Sequence, residues 1–303
     1  EVKTNKTPEA RLGFSPPSRK KELTDHQEEV VGKTVPPVLD GRNQVSRFVN
    51  IQQGCNNYCT FCVVPHTRGR EISYSPDSIV EQCQKLVEQG CKEITLLGQN
   101  VNSYGLDLVE KGALNPTERG PFVDLLYQTK SLSGLESLRF TTSNPHDFSR
   151  PLAQAFHDIS ELGKYIHLPV QSGSDYILER MKRKVTRAEY LERIHWLRQA
   201  VPEMAISTDI IVGFPGEREE DFEDTLSLVE TVRYSFAYAF KYSPRPKTPA
   251  KRYIDQVDED VKKVRLARLN ELLDKITREE HAKQVGREKS VLFAYESRKE
   301  KGI

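Results

Sequence analysis

Cys55, Cys59 and Cys62 stand at C-x3-C-x2-C spacing within QQGCNNYCTFCVVPHTRGRE, residues 52–71. Nothing else in the chain constrains its fold as much. Three thiols this close share one loop, and two or three residues between them let that loop wrap a metal centre. The loop follows directly on RFVNIQ (47–52), an apolar run that reads as a strand. The fold therefore has to present a metal-binding loop at the end of a strand.

Three chemistries compete for it. A structural zinc site takes four Cys or His ligands, and His66 is the available fourth. A redox dithiol needs two cysteines and leaves the third surplus. An iron–sulfur cluster held by three cysteines leaves one iron open. The context favours the last, because zinc knuckles normally sit in small modules of their own. Cys83 and Cys91, on and just past the next helical stretch, read as small buried hydrophobes. Five cysteines is an odd number without disulfide-framework spacing, so a reducing, cytoplasmic compartment is expected.

From Arg47 to about Ser243, short apolar runs alternate with amphipathic stretches, as repeated βα units do. Strands are expected at 47–52, 93–99, 137–142, 165–171, 205–214 and 235–243. Helices are expected near 76–89, 122–132, 148–160, 174–181, 186–199 and 219–233, with a long amphipathic one at 258–286. SPDSIVEQCQKLVEQG carries the logic. Pro76 opens a helix, Ile79, Cys83, Leu86 and Val87 share its apolar face, and Gly90 ends it. Six repeats predict an α/β fold, an open parallel sheet or partial (β/α)6 barrel of TIM type. Ligands gather at the C-terminal ends of such strands.

Residues 1–46 read as a linker or weakly ordered remnant, 47–284 as the core, and 285–303 as the start of a truncated β segment around SVLFAYE. The first residues have no apolar core for a signal peptide, and no run approaches the roughly 18 apolar residues of a membrane helix. The chain opens on Glu1 rather than Met, so a fragment is expected. With 45 Lys and Arg against 44 Asp and Glu it has no overall basic field. Any nucleic-acid contact has to come from local patches.

The cysteine spacing, with Phe61 just before the last cysteine and a first strand ahead of it, resembles the signature of the radical S-adenosylmethionine (SAM) superfamily. CVVPHTRGRE, LLGQNVNSYG, RFTTSNPHDF, HLPVQSGSD, TDIIVGFPGE and YSPRPKTPA follow in order and narrow the resemblance to the methylthiotransferase family. TRGRE and GQNVNSYG point to its branch that modifies isopentenyladenosine in tRNA. They point away from the branches acting on threonylcarbamoyl-adenosine or a ribosomal-protein aspartate. The resemblance covers roughly 47–286, and the tail is similar to the start of a TRAM RNA-binding domain.

That resemblance implies that Cys55, Cys59 and Cys62 hold a 4Fe-4S cluster whose open iron binds SAM. A radical made from SAM then takes hydrogen from C2 of N6-isopentenyladenosine beside the anticodon, where a methylthio group is added. The implied partners of this enzyme, a transferase, are the tRNA anticodon stem-loop, SAM and an electron donor, with no membrane and a monomeric chain. The family also has an N-terminal domain with three further cysteines, which hold an auxiliary 4Fe-4S cluster. Residues 1–46 contain no cysteine, so the chain is expected to cleave SAM without inserting sulfur. The alternatives are a methylthiotransferase for another target and a non-catalytic iron–sulfur RNA-binding protein.

The resemblance also assigns contacts. Gly98, Gln99 and Asn100 end the second strand, where the superfamily touches the SAM amino group; a carbonyl of Gln99 or Asn100 can accept from an ammonium. A plain βα turn would place Gly and Asn there too. Ser143 and Gln171 offer polar groups at the third and fourth strand ends. Arg183, in MKRK, stands where the family reaches the SAM carboxylate, which a guanidinium suits bidentately. Ile211 is expected on adenine, Gly213 in the turn after it, and Phe61 against the cofactor. His167, inside an apolar strand, reads as a satisfied core histidine. KYSPRPKTPAKR (241–252) is a stiff basic loop suited to phosphate. Lys247 stands where the family usually has Gly, and Tyr74 where Arg is common.

Overall fold

The computed structural model describes residues 45–293. Strand β1 (Ser46–Asn50) leads into a short β2 (Gln52–Gln53), the cysteine loop, helix α1 (Val64–Arg68) and β3 (Ile72–Ser73). Then come α2 (Pro76–Glu88), β4 (Glu93–Leu97), α3 (Leu106–Glu110), α4 (Pro121–Thr129), β5 (Ser137–Thr141) and α5 (Arg150–Asp158). The second half runs β6 (Tyr165–His167), α6 (Asp175–Arg180), α7 (Arg187–Ala200), β7 (Ala205–Val212), α8 (Glu219–Val232), β8 (Phe236–Lys241) and α9 (Glu259–Ala282).

Local chemistry sets these elements. Ser75 caps α2 by accepting from the Ser78 N–H at 3.3 Å, Pro76 follows, and Ile79, Cys83, Leu86 and Val87 are the buried face. At α7, Thr186 and Glu189 form a reciprocal capping box. Strands β1, β4 and β5 pair in parallel in that order, and so do β6, β7 and β8. A parallel bridge between Leu138 and Leu162 joins the halves. Among the described residues β8 does not pair with β1, so the sheet stays open, as six βα repeats predict.

Alternation splits the sheet into two faces. Val49, Ile94, Leu96, Leu138, Phe140, Ile166, Ile206 and Ile210 are buried in the main core. The other face is open. On β8, Ala237 and Ala239 pack on the core while Phe236, Tyr238 and Phe240 stay 45%, 52% and 50% exposed. Register aligns these three rings with Ser207, Asp209 and Ile211 of β7.

The elements end sooner than predicted. Strand β4 stops at Leu97 because the Gly98 N–H turns to the Thr141 carbonyl, at 3.0 Å, and Gly98 accepts from the Thr142 N–H at 3.1 Å. Strand β6 stops at His167, before Pro169. The β2–β3 pair, α1 and α3 are additions. Ser290–Phe293 form no strand, the rest of SVLFAYE lies outside the described residues, and so does the expected linker up to residue 44.

Candidate active site

Every loop in question leaves the C-terminal end of a parallel strand. The cysteine loop follows β1, residues 98–100 follow β4, 142–144 follow β5, 168–171 follow β6, 213–216 follow β7 and 242–250 follow β8. The β2–β3 pair closes the base of the cysteine loop, with Gln52 opposite Ser73. Gly54, just before Cys55, has φ +79°, and a Cβ there would lie 2.1 Å from the Arg70 carbonyl oxygen. Only glycine fits. The Gly54 N–H donates to Gln99 Oε1 at 2.7 Å, so Gln99 holds the loop to the β4 turn by its side chain.

Each of the three sulfurs receives one N–H. The Val64 N–H reaches Cys62 Sγ at 3.5 Å, and Arg183 Nη1 reaches Cys59 Sγ at 3.6 Å. The Asn57 N–H serves Cys55. Donors aimed at sulfur suit thiolate ligands, whose charge they offset. As free thiols Cys55 and Cys62 are hard to ionise. Burial pushes Cys55 up to about 11, with Cys59, Glu71 and Cys62 adding repulsion, and burial raises Cys62 as well. Among the described residues no three His, Cys, Asp or Glu converge as a single ion needs. The zinc reading with His66, which is exposed, has no geometry behind it. Three cysteines on one loop, with N–H donors at their sulfurs, are a donor set of the kind a three-thiolate cluster takes.

Around the loop the structure distributes the predicted contacts unevenly. Ser143 is buried with its Oγ unpartnered. Arg183 is buried, donates through Nη2 to the Pro169 carbonyl, and has Nε unpartnered. Gln171 sits at φ +79° and bridges to Ile210. Phe61 and Ile211 border a small apolar cluster around Phe214, Phe61 meeting the Phe214 ring edge-on at 6.5 Å.

Asn100 and Gly213 both also make local contacts. The Asn100 carbonyl accepts from Gln52 Nε2 at 2.6 Å and Ser103 Oγ at 2.9 Å, while Asn100 Oδ1 is buried without a partner, so the Gln99 carbonyl and Asn100 Oδ1 are the acceptors left for an ammonium. Gly213, at φ +69°, faces away from the loop: a Cβ would meet the Lys262 side chain of α9 at 2.2 Å, and its N–H donates to Glu217. His167 is satisfied, with Nδ1 2.8 Å from Ser207 Oγ and Nε2 3.4 Å from Asp209. Lys247 adopts φ +67°, the left-handed region glycine prefers.

A polar layer under the cysteine loop has almost no signature in the sequence. The carboxyl of buried Glu71 lies 2.8 Å from Ser103 Oγ, and the Glu71 N–H donates to Asn56 Oδ1. Asn100 Nδ2 donates to Ser103 and Asp147. Only the charged RGRE run hints at it. The aromatic alternation FAYAF at 236–240 is a legible signal, one that the strand assignment alone does not use.

The radical SAM superfamily profile matches residues 49–229. The chain belongs to the radical SAM superfamily. Membership implies a 4Fe-4S cluster and SAM, for which the cysteine loop is the fitting donor set. The tRNA-2-methylthio-N(6)-dimethylallyladenosine synthase of Desulfosudis oleivorans is 49% identical over 254 residues, 84% of this chain and 53% of that protein. The protein of the same name from Desulfotalea psychrophila is 51% identical over 247 residues, 82% of this chain and 55% of its own. The chain thus spans about half the length of the curated relatives it matches. Solved radical SAM structures share the fold. The methyltransferase TsrM of Kitasatospora setae, with tryptophan and a SAM analogue bound, superposes with TM-score 0.54 at 15% identity, over 69% of this chain and 38% of that one. Coproporphyrinogen III oxidase (HemN) of Escherichia coli gives 0.51 at 14%, over 77% and 53%.

Proposed function

We propose that this chain is the radical SAM core of a tRNA methylthiotransferase acting at C2 of N6-isopentenyladenosine next to the anticodon. One observation carries the reading: a three-cysteine loop, each sulfur with its own N–H donor, at the mouth of an open parallel sheet whose free face is lined by aromatics. In this reading Cys55, Cys59 and Cys62 hold the cluster. Cluster and SAM supply the hydrogen-abstracting chemistry when bound, with an electron donor. Ser143 Oγ, Arg183 Nε, Asn100 Oδ1 and the Gln99 carbonyl are polar groups left to orient SAM, with Phe61, Gln171 and Ile211 around it. An unpaired anticodon-loop base can be splayed into such a mouth and stack on Phe240 and Tyr238.

We place 47–284 as this core and 285–303 as the beginning of an RNA-binding β domain, in a monomeric cytoplasmic enzyme. Sulfur insertion needs an auxiliary cluster. Cys83 and Cys91 are buried in the core, so none of the chain's five cysteines is left for one. The test is anaerobic reconstitution with iron and sulfide, followed by reductant and SAM. The chain should release 5'-deoxyadenosine, and Cys59→Ala should not. A chain that carries the cluster by its visible spectrum yet makes no 5'-deoxyadenosine would sink the enzyme reading.

A further inference from the structure

Many exposed cations pair with acids. Arg268 pairs with Glu219 and Glu223, Arg233 with Glu279 and Glu280, and Lys241 with Glu259. The ring of loops around the cysteines instead gathers cations that do not. Arg68 and Arg70, Lys182 and Lys184, and Arg245 and Lys251 are all exposed, and among the described residues none has an ion-pair partner.

These pairs come from three separate segments, and each segment is tied to the cysteine loop by one backbone hydrogen bond. The Cys55 N–H donates to the Gly69 carbonyl at 3.3 Å, which fixes Arg68 and Arg70 beside the first cysteine. The Thr60 N–H donates to the Met181 carbonyl at 3.0 Å, which fixes the Lys182–Lys184 turn. The Ala250 N–H donates to the Thr60 carbonyl at 3.0 Å, which fixes the loop carrying Arg245 and Lys251. The middle turn holds an unusual backbone: Lys182 at φ +56° and Lys184 at φ +53° flank buried Arg183. One cation points in toward Cys59 and two point out. Nearby Asp255 does not neutralise the ring, because Arg180 already binds it at 2.6 Å.

We propose that these three loops form a phosphate-binding collar that seats the backbone of an RNA stem-loop over the cysteine loop. The proposal rests on the tRNA reading above and assigns it a surface. A chain of net charge +1 has no diffuse field to attract RNA, so a local collar is the means it has. Exposed Phe240, at the end of β8 from which the 242–250 loop leaves, favours an RNA loop over an acidic polypeptide, since unpaired bases stack where carboxylates gain nothing. Phosphate contacts seat and orient the nucleic acid; they do not read its sequence.

The experiment measures binding of a fluorescent RNA stem-loop by the reconstituted chain across a range of KCl concentrations. Each phosphate contact contributes about 0.7–0.9 to the slope of log affinity against log salt. Each double variant, Arg68→Gln with Arg70→Gln, Lys182→Gln with Lys184→Gln, or Arg245→Gln with Lys251→Gln, should weaken binding about tenfold and flatten the slope by about 1 to 2. Arg68→Lys with Arg70→Lys should keep most of the affinity, which separates charge from folding. Lys275→Gln with Arg278→Gln, exposed on α9, removes the same charge away from the collar and should change nothing. RNA binding that ignores all three collar variants, or responds equally to the α9 variant, overturns the collar alone. Displacement of the RNA by polyglutamate at equal charge overturns it too. Failure of the unaltered chain to bind RNA at all overturns both the collar and the tRNA reading.

Discussion

Under the cysteine loop, one hydroxyl hydrogen decides a protonation state. Ser103 Oγ lies within hydrogen-bond reach of both the Glu71 carboxylate and the Asn100 carbonyl, yet it has one hydrogen to give. A proton on Glu71 satisfies both: Glu71 donates to Ser103, and Ser103 to Asn100. Burial pushes Glu71 up to about 7, and Asp107, Asp147 and Glu110 add repulsion. The folded chain therefore holds a proton that the unfolded chain releases near 4.5. Stability from this group is full below about pH 4.5 and falls by about 3 kcal/mol as pH rises through 7. Glu71→Gln should be more stable than the parent at pH 8 and indistinguishable from it, in this respect, near pH 5. Thermal unfolding at the two pH values checks this, and an equal pH dependence in both proteins refutes it. Gly54 is the other residue on which the loop turns. Its φ is +79°, and a methyl group added there would stand 2.1 Å from the Arg70 carbonyl oxygen. Gly54→Ala should therefore lose cluster incorporation, read as lost visible absorbance after reconstitution.

At the scale of elements, period decided what the sequence could reveal. Five of the six parallel strands and the helices after them carry alternation or 3.6-residue spacing over five residues or more and fall where expected; β6, three residues long, keeps only the start of its expected span. The strand ends moved because the chain leaves the sheet to make specific bonds, such as Gly98 to Thr141 and Thr142, which periodicity does not encode. Two-residue strands and five-residue helices are too short to show a period at all. The same limit explains the site. The three cysteines were legible because their spacing is itself the signal. Gly98, Asn100 and Gly213 are less specific signals, because glycine and asparagine suit a plain turn as well as a binding loop. Helix α7 offers a check on how firmly these local signals hold. Thr186 accepts from the Glu189 N–H at 3.2 Å, and Glu189 accepts from the Thr186 N–H at 2.7 Å. Thr186→Ala should cost about 1 kcal/mol in denaturant unfolding, and a change near zero would mean the cap adds nothing beyond packing.

For the whole molecule, the last helix is the fastening that holds the free edge of an unclosed sheet. Helix α9 packs on β8, β7 and α8, burying Leu269, Leu273 and Ile276. Its one buried guanidinium pair lies next to the β7 turn. Arg265 Nη1 donates to Glu217 Oε1 at 2.9 Å and to the Glu217 carbonyl at 3.1 Å, and Nη2 meets Glu219 at 3.1 Å. Glu217 Oε1 in turn accepts from the Gly213 N–H at 2.8 Å, so helix, turn and candidate site share one set of bonds. Burial pushes the Glu217 carboxyl up to about 7 against the pull of the guanidinium. Removing Arg265 leaves that carboxyl buried and unanswered, which costs about 3 kcal/mol. The sign with pH follows. Without its partner, Glu217 rises further above its unfolded value, so the folded state binds the extra proton more tightly and loses more stability as pH rises. Arg265→Ala should therefore be far less stable than the parent at pH 8 and close part of that gap at pH 5.5. Adding Glu217→Gln to Arg265→Ala should recover stability at pH 8 and abolish the extra pH dependence. If the double variant is as unstable at pH 8 as the single one, the cost lies in lost packing of the Arg265 stem and not in the stranded charge.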